Sequence, residues 1–289
     1  METNMETIVE TKLKNGLYLV ATPIGNLGDI SSRAIHVLRT VSLIAAEDTR
    51  HSQKLLKQFN IQTPLFSLHE HNERDKTDVL LNRILRGESV ALISDAGTPL
   101  ISDPGYFIVK MAHQQNIPVI PIPGPSALIT ALCASGLPTD RFIFEGFLPA
   151  KSTQRQAILK SLVEEERTLI FYESPHRIVE TLKDMVLIFG DERVSTLARE
   201  MTKTFETIRQ GSLKTQLKAM AENVNETKGE FVILIQGKEK MALSMTPDAK
   251  RIFEILNDEL GASKAARLAA KITNMSRNEF YEYGLHLKE

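Results

Sequence analysis

Four glycine- and proline-rich segments carry the residue types best suited to chemistry: Thr22-Pro23-Ile24-Gly25-Asn26, Ser94-Asp95-Ala96-Gly97-Thr98-Pro99, Ser102-Asp103-Pro104-Gly105 and Pro121-Ile122-Pro123-Gly124-Pro125-Ser126. Glycine lets a ligand approach the backbone closely, and helices starting near Pro104 and Pro125 would offer unpaired N–H groups at their first turns. Asp95, Ser102 and Asp103 lie beside those glycines. Such a pocket suits a carboxylate or a nucleoside hydroxyl. Two acids at one mouth also favour a cation, but no tight His/Cys/Asp cluster with ligand spacing accompanies them, so no metal is expected. Gly25-Asn26-Leu27-Gly28 lacks both the GxGxxG pattern and a following Gly-Lys-Ser/Thr, which excludes the dinucleotide and P-loop fingerprints. A single glycine loop is ordinarily just a tight turn; four at strand ends on one sheet edge indicate a site.

Charged groups gather where other apolar runs stop. Glu47-Asp48-Thr49-Arg50-His51 follows Leu43 to Ala46 and supplies a base and a cation, although Asp48 also suits a helix N-cap with a favourable charge pair. His69 and His71 face alike on a strand end but lack a third metal ligand nearby. Phe171-Tyr172-Glu173-Ser174-Pro175-His176-Arg177 and Ala198-Arg199-Glu200-Met201-Thr202-Lys203 end two later runs, as substrate-binding groups or as a salt-bridge network.

The elements that must position these residues follow from periodicity. Apolar runs at about 17–22, 41–46, 65–68, 89–94 and 117–122 alternate with helical patterns at about 31–40, 50–58, 73–86, 104–115 and 125–135, the signature of a parallel α/β sheet. After Gly136-Leu137-Pro138 the β-rich segments 141–147, 168–172, 194–199, 205–210 and 231–236 come closer together, which predicts a mixed sheet. Helices are expected at about 152–164, 175–188 and 212–223, with Pro175 at a helix start. Three more, at about 248–259, 262–273 and 276–284, end the chain, the last pair as a helix-turn-helix with a Ser276/Glu279 capping box. The expected division is a tail (1–14), a first α/β domain (15–136), a second (137–237) and a helical extension (238–289).

Of 289 residues one is cysteine, Cys133, so no intrachain disulfide forms; its place in the apolar run Leu128 to Ala134 reads as a buried thiol in a reducing, cytoplasmic setting. No apolar stretch is long enough to span a bilayer. A net charge of −1 argues against coating nucleic acid through bulk electrostatics, so any RNA contact must be local. Residues 262–277 are the candidate: Lys264, Arg267, Lys271 and Arg277, with no acid among them, meet phosphates or simply form a solvated face.

Taken together, the segments Ala21 to Asp29, Glu47 to Arg50, Ser94 to Pro99, Ser102 to Gly105, Pro123 to Ser126, Phe171 to Arg177 and Ala198 to Glu200 closely resemble the tetrapyrrole methylase superfamily, over about residues 15–237. Within it they are similar to the bacterial branch that methylates a cytidine 2'-hydroxyl of 16S ribosomal RNA. The resemblance implies two α/β domains with S-adenosylmethionine folded into the cleft between them, and a homodimer. It maps cofactor contacts onto Pro23, Asp95, Ala96, Gly97, Thr98, Ser102, Asp103, Pro123, Gly124, Pro125 and Ser126, with Tyr172, Gly229 and Glu230 closing from the second domain. Thr22 to Asn26 stands where tetrapyrrole-modifying relatives carry a Gly-x-Gly-Pro-Gly-type loop, which favours the RNA branch. Ribose methylation needs a proton acceptor, Asp48 or Glu200, and a cation for the forming alkoxide or a phosphate, Arg50, Arg199 or Lys203. The implied partner is 16S RNA or the 30S subunit. Two other readings are a methylase of tetrapyrroles or another small molecule, and a non-catalytic RNA-binding assembly factor.

Overall fold

The computed structural model describes residues 13–239 and 245–287. The expected tail lies outside them save for its last two residues, as does most of the polar connector before Pro247. The chain divides into two compact units, Met1–Gly237 and Lys238–Glu289.

In the first unit, strands β1 (Gly16–Val20), β2 (Leu43–Ala46), β3 (Leu65–Ser67), β4 (Ser89–Ile93) and β5 (Val119–Ile122) form a wholly parallel sheet in the order β3-β2-β4-β1-β5. Burial on both faces explains their unbroken apolar runs. Alternate residues feed two cores: Tyr18, Val20, Ile44, Ala46, Ala91 and Ile93 pack with Val37 and Leu38 of α1 (Ser32–Thr40) and Leu56 of α2 (Thr49–Gln58). Leu17, Leu43, Ala45, Val90 and Leu92 pack with Leu80, Leu81 and Ile84 of α3 (Glu73–Leu85) and Ile108 and Ala112 of α4 (Tyr106–Gln114).

The second sheet, in the order β6-β7-β10-β8-β9, is mixed. Strand β6 (Phe142–Phe147) runs parallel to β7 (Thr168–Glu173), whereas β10 (Phe231–Ile235) is antiparallel to β7 and to β8 (Val194–Arg199), which pairs antiparallel with β9 (Thr207–Ser212). Its outer face packs against α6 (Ser152–Ser161), α7 (Ile178–Phe189) and α8 (Leu213–Glu222). Its inner face meets α5 (Ala127–Ala134) of the first sheet: Leu128, Ala131 and Leu132 join Ile170, Ala198, Val232 and Leu234 in one cluster that also takes in Ile24.

Several local expectations are corrected. Cys133 is exposed, because the buried positions of α5 recur at 128, 131 and 132 and leave residues 129, 130 and 133 outside. Pro175 does not start α7: a turn closed by the Arg177 and Ile178 amides on the Ser174 carbonyl intervenes. The helices near Pro104 and Pro125 begin after Gly105 and Ser126. In the second unit α9 (Pro247–Leu260), α10 (Ala262–Thr273) and α11 (Arg277–His286) enclose Phe253, Phe280, Ala265, Ala266 and Ala269. There Ser276 caps α11 through the Asn278 amide, and Glu279 Oε2 is buried without a partner, so the capping box is not formed.

Helices α6 and α7 are fastened by a buried ion pair, Arg155 to Asp184 at 2.6 Å, with Ser152 and Gln156 also donating to the Asp184 carboxylate. Removing one partner leaves the other charged, buried and unpaired. Asp184→Ala should therefore lower unfolding free energy by about 3–5 kcal/mol, read from the midpoint of urea denaturation.

Candidate active site in the cleft between the sheets

The strand order decides which loops meet. Because β4, β1 and β5 are neighbours, their exits at Ser94–Pro99, Thr22–Ile24 and Pro123–Ser126 stand side by side at the sheet's carboxyl edge, where open α/β sheets bind ligands. They are locked together: Thr22 and Gly97 exchange amide–carbonyl hydrogen bonds at 2.9 and 3.0 Å, and the Thr98 hydroxyl donates to the Pro125 carbonyl at 2.9 Å. Gly97 takes φ +82°, which favours glycine, and Gly124 lies so close to Ala21 that an added Cβ would meet its methyl at 2.9 Å.

These loops form one side of a cavity of about 420 Å³, with Ile24, Asp95, Ala96, Gly97, Thr98, Ile101, Ser102, Asp103 and Ser126 in its wall. The second sheet supplies the other side with Phe147, Tyr172, Glu173, Met201, Glu230, Phe231 and Val232. The Tyr172 hydroxyl accepts from the Leu128 amide at 3.1 Å, joining β7 to the first turn of α5. Burial pushes its phenol up to about 12, so it stays neutral.

Of the expected cofactor contacts, Asp95, Ala96, Gly97, Thr98, Ser102, Asp103, Ser126, Tyr172 and Glu230 line the cavity. Pro23, Pro123, Gly124, Pro125 and Gly229 are not among the residues of its wall. Gly229, at φ +96°, packs against the Glu200 side chain. Sequence reasoning missed Phe147, Ile101 and Val232 as lining residues; the glycine at 146 inside a strand was the available sign of a bulge that turns Phe147 inward.

Two sets of charges flank the cavity. Asp95 accepts from the Asp48 amide at 3.2 Å, tying the exits of β4 and β2. Burial pushes the Asp103 carboxyl up to about 6, assisted by the charges of Glu47 and Asp95 and opposed by a hydrogen bond with Ser94. Glu47 is raised too, by burial and by Asp95, Glu70 and Asp48. Asp48 instead caps α2 by accepting from the Arg50 and His51 amides, chiefly the first of which holds its pKa low. Arg50 extends into solvent, 91% exposed.

On the opposite side Lys203 bridges Glu200 and Glu230 at 2.8 Å each, and Glu200 also accepts from the Glu230 amide. Burial acts to raise the Glu200 pKa, but the Lys203 and Glu230 donors outweigh it and hold it low. Arg199 donates to the carbonyls of Lys228 and Asn225 in one loop and of Phe205 in another, and so holds the two together. Gly25, at the exit of β1, packs against this side, where a Cβ would meet the Lys203 stem. In the second unit Lys264, Arg267 and Lys271 are exposed on α10, and Arg277 reaches the Ser263 hydroxyl at 3.3 Å.

Residues 16–216 match the family model described as Tetrapyrrole (Corrin/Porphyrin) Methylases. The chain belongs to the tetrapyrrole methylase family. Residues 244–288 match a second model, the RsmI C-terminal HTH domain. A protein of Haemophilus influenzae named Ribosomal RNA small subunit methyltransferase I is 50% identical over 282 residues, 96% of this chain and 100% of its own. One of the same name from Vibrio cholerae is 54% identical over 93% of this chain and 94% of its own. Among solved structures, the cobalt precorrin-4 methyltransferase CbiF superposes with a TM-score of 0.55 at 15% identity, covering 80% of this chain and 98% of its own. Diphthine synthase does so with 0.57 at 14%, covering 76% and 89%. These two share the fold.

Asp103 also governs a stability term. Its folded pKa of about 6 exceeds the ordinary 3.8, so between those values the folded chain binds more protons than the unfolded one and stability falls as pH rises. Asp103→Asn removes that penalty. The variant should melt higher than the wild type at pH 7–8, with the gain vanishing toward pH 4, as thermal melts across this range would show.

Proposed function

We propose that this tetrapyrrole methylase transfers a methyl group from S-adenosylmethionine to the 2'-hydroxyl of a cytidine in 16S ribosomal RNA. Full-length likeness carries the reading: the relatives named Ribosomal RNA small subunit methyltransferase I match the helical C-terminal region as well as the two sheets, whereas the solved small-molecule methylase covers 80% of this chain. The four-part division of the chain at residues 14, 136 and 237 belongs to the same proposal, with the last part given to RNA.

The cavity fits the cofactor. About 420 Å³ lies within the usual range for small-molecule sites, and its wall combines apolar Ile24, Met201, Phe231 and Val232 with the backbone of Ala96 to Thr98. Asp95 provides negative charge for the cofactor's ammonium and sulfonium groups. Bound there, S-adenosylmethionine supplies an electrophilic methyl group on a good leaving group.

The protein's work is then to hold geometry and to take a proton. Positioning alone reaches ~7–11 kcal/mol in favourable intramolecular reactions. Asp48 and Glu200 are held by donors that lower their pKa, which weakens them as bases, while Asp103 combines a place in the cavity wall with a raised pKa. We assign the proton acceptor to Asp103. The Lys203 ammonium, anchored by Glu200 and Glu230 beside the second wall, is the cation for the forming alkoxide or a flanking phosphate, and Arg50, paired with Asp48 at 3.6 Å yet 91% exposed, is open to RNA outside.

Incubating the protein with methyl-labelled cofactor and either 30S subunits or naked 16S RNA lacking the modification should place label on one cytidine's 2'-oxygen; no labelled RNA sinks the reading. The rate, as kcat/KM, should rise with pH through an apparent pKa near 6. Asp103→Asn should cut it by about 10²–10⁴ and flatten the profile. An unaltered profile in that variant, together with a hundredfold loss in Asp48→Asn or Glu200→Gln, would return the role to that residue.

RNA affinity is given to the α10 cations. Replacing Lys264, Arg267 and Lys271 by alanine should reduce the salt slope of RNA binding by about 2, at roughly 0.7 per phosphate contact on a single strand. Cofactor affinity, measured by calorimetry, should not move.

A further inference from the structure

A bulge in β6 decides where its last aromatic ring goes. Phe144 pairs with Ile170 and Gly146 with Phe171, leaving Glu145 as the extra residue. Side chains alternate across a strand, so the insertion resets the phase and puts Phe147 on the same face as Phe144, three positions earlier. Both rings meet Tyr172 edge-on, with centroids 4.8 and 5.6 Å away. Phe144 is packed into the cluster between the sheets, whereas Phe147 lines the cavity and is still 53% exposed. Gly146 takes φ +65°, and a Cβ there would stand 3.2 Å from the Ser102 hydroxyl. The bulge thus rests against the loop that carries Asp103.

An aromatic ring braced by a second ring, open to water and sharing a cavity with the carboxyl assigned as base, offers a flat apolar surface to a flat ligand. We propose that Phe147 is the platform on which the base of the nucleotide undergoing methylation stacks. This rests on the RNA-methylation reading. Two nucleobases visit such a site, the cofactor's adenine and the RNA base, and exposure separates them. The enclosed apolar wall of Ile24 and Val232, each under 10% exposed, suits the adenine, while the half-open ring of Phe147 can be reached from solvent. Unstacked bases of single-stranded RNA are commonly held on aromatic side chains.

The test compares Phe147→Ala, Phe147→Leu and Phe147→Trp with the wild type on undermethylated 30S subunits, with cofactor affinity measured by calorimetry. Loss of one base–aromatic stack should raise the KM for RNA about five- to hundredfold in the alanine and leucine variants, with kcat and cofactor affinity within about twofold and tryptophan restoring KM. Leucine keeps an apolar side chain but no flat face, so a defect there isolates stacking from folding. Cofactor affinity falling tenfold instead would assign the ring to adenine and overturn the proposal. A KM unchanged in both variants, with the wild type active on RNA, would overturn it while leaving the functional reading intact; a wild type that labels no RNA would overturn both.

Discussion

The packing of α5 against the inner face of the second sheet sets the geometry of everything else. Leu128, Ala131 and Leu132 come from a helix that belongs to the parallel sheet, yet their partners Ile170, Ala198, Val232 and Leu234 belong to the mixed one. Ile24, at the exit of β1, joins the same cluster and also lines the cavity. The separation of the two cavity walls is therefore fixed by close-packed side chains rather than by a linker, and close-packed interiors deform little. Two polar contacts refine it: Tyr172 with the Leu128 amide, and the Asn26 amide with the Thr202 hydroxyl at 3.0 Å.

Held that firmly, the cavity can keep backbone conformations that a looser structure would relax. Among the described residues, positive φ outside glycine occurs at Asn60, Asn116 and Asn274, just past the ends of α2, α4 and α10, where asparagine tolerates it. The other four are Leu100, Ser102, Glu200 and Thr202. None has a side chain that favours the left-handed region, and such residues cost of order 1–3 kcal/mol each. Leu100 and Ser102 present Asp103; Glu200 and Thr202 bracket Met201, which lines the opposite wall. Strain is thus gathered on the two loops that face each other across the cavity.

The strand exits were legible because glycine, proline and acids at the end of an apolar run have few other uses, and both sheets with most helices followed from periodicity. Strand order was not legible. Nothing local to β4 says that it lies between β1 and β2, yet this placement sets Asp95 beside the Asp48 amide. Cys133 misled because an eight-residue apolar helix does not reveal which side is covered. Phe147 was missed because a bulge inverts the alternation from which its face would be read. The raised pKa of Asp103 is likewise collective: it arises from burial and from the charges of Glu47, distant in sequence, and of Asp95 nearby.

Charge segregation ties these observations to chemistry. The net charge of −1 conceals a carboxylate-rich cavity edge and a helix, α10, whose ionisable side chains are all basic. Glu47, Asp95 and Asp103 raise one another's energy in a partly buried setting, a cost that a cationic ligand offsets and an anionic one would increase. On the proposed function, a field that would favour a sulfonium would repel RNA phosphates from the cavity floor. An RNA substrate would then be held by groups elsewhere, such as the cations of α10, and would present to the cavity something neutral and flat. A ribose and its base meet that requirement, and the uncharged ring of Phe147 is consistent with it.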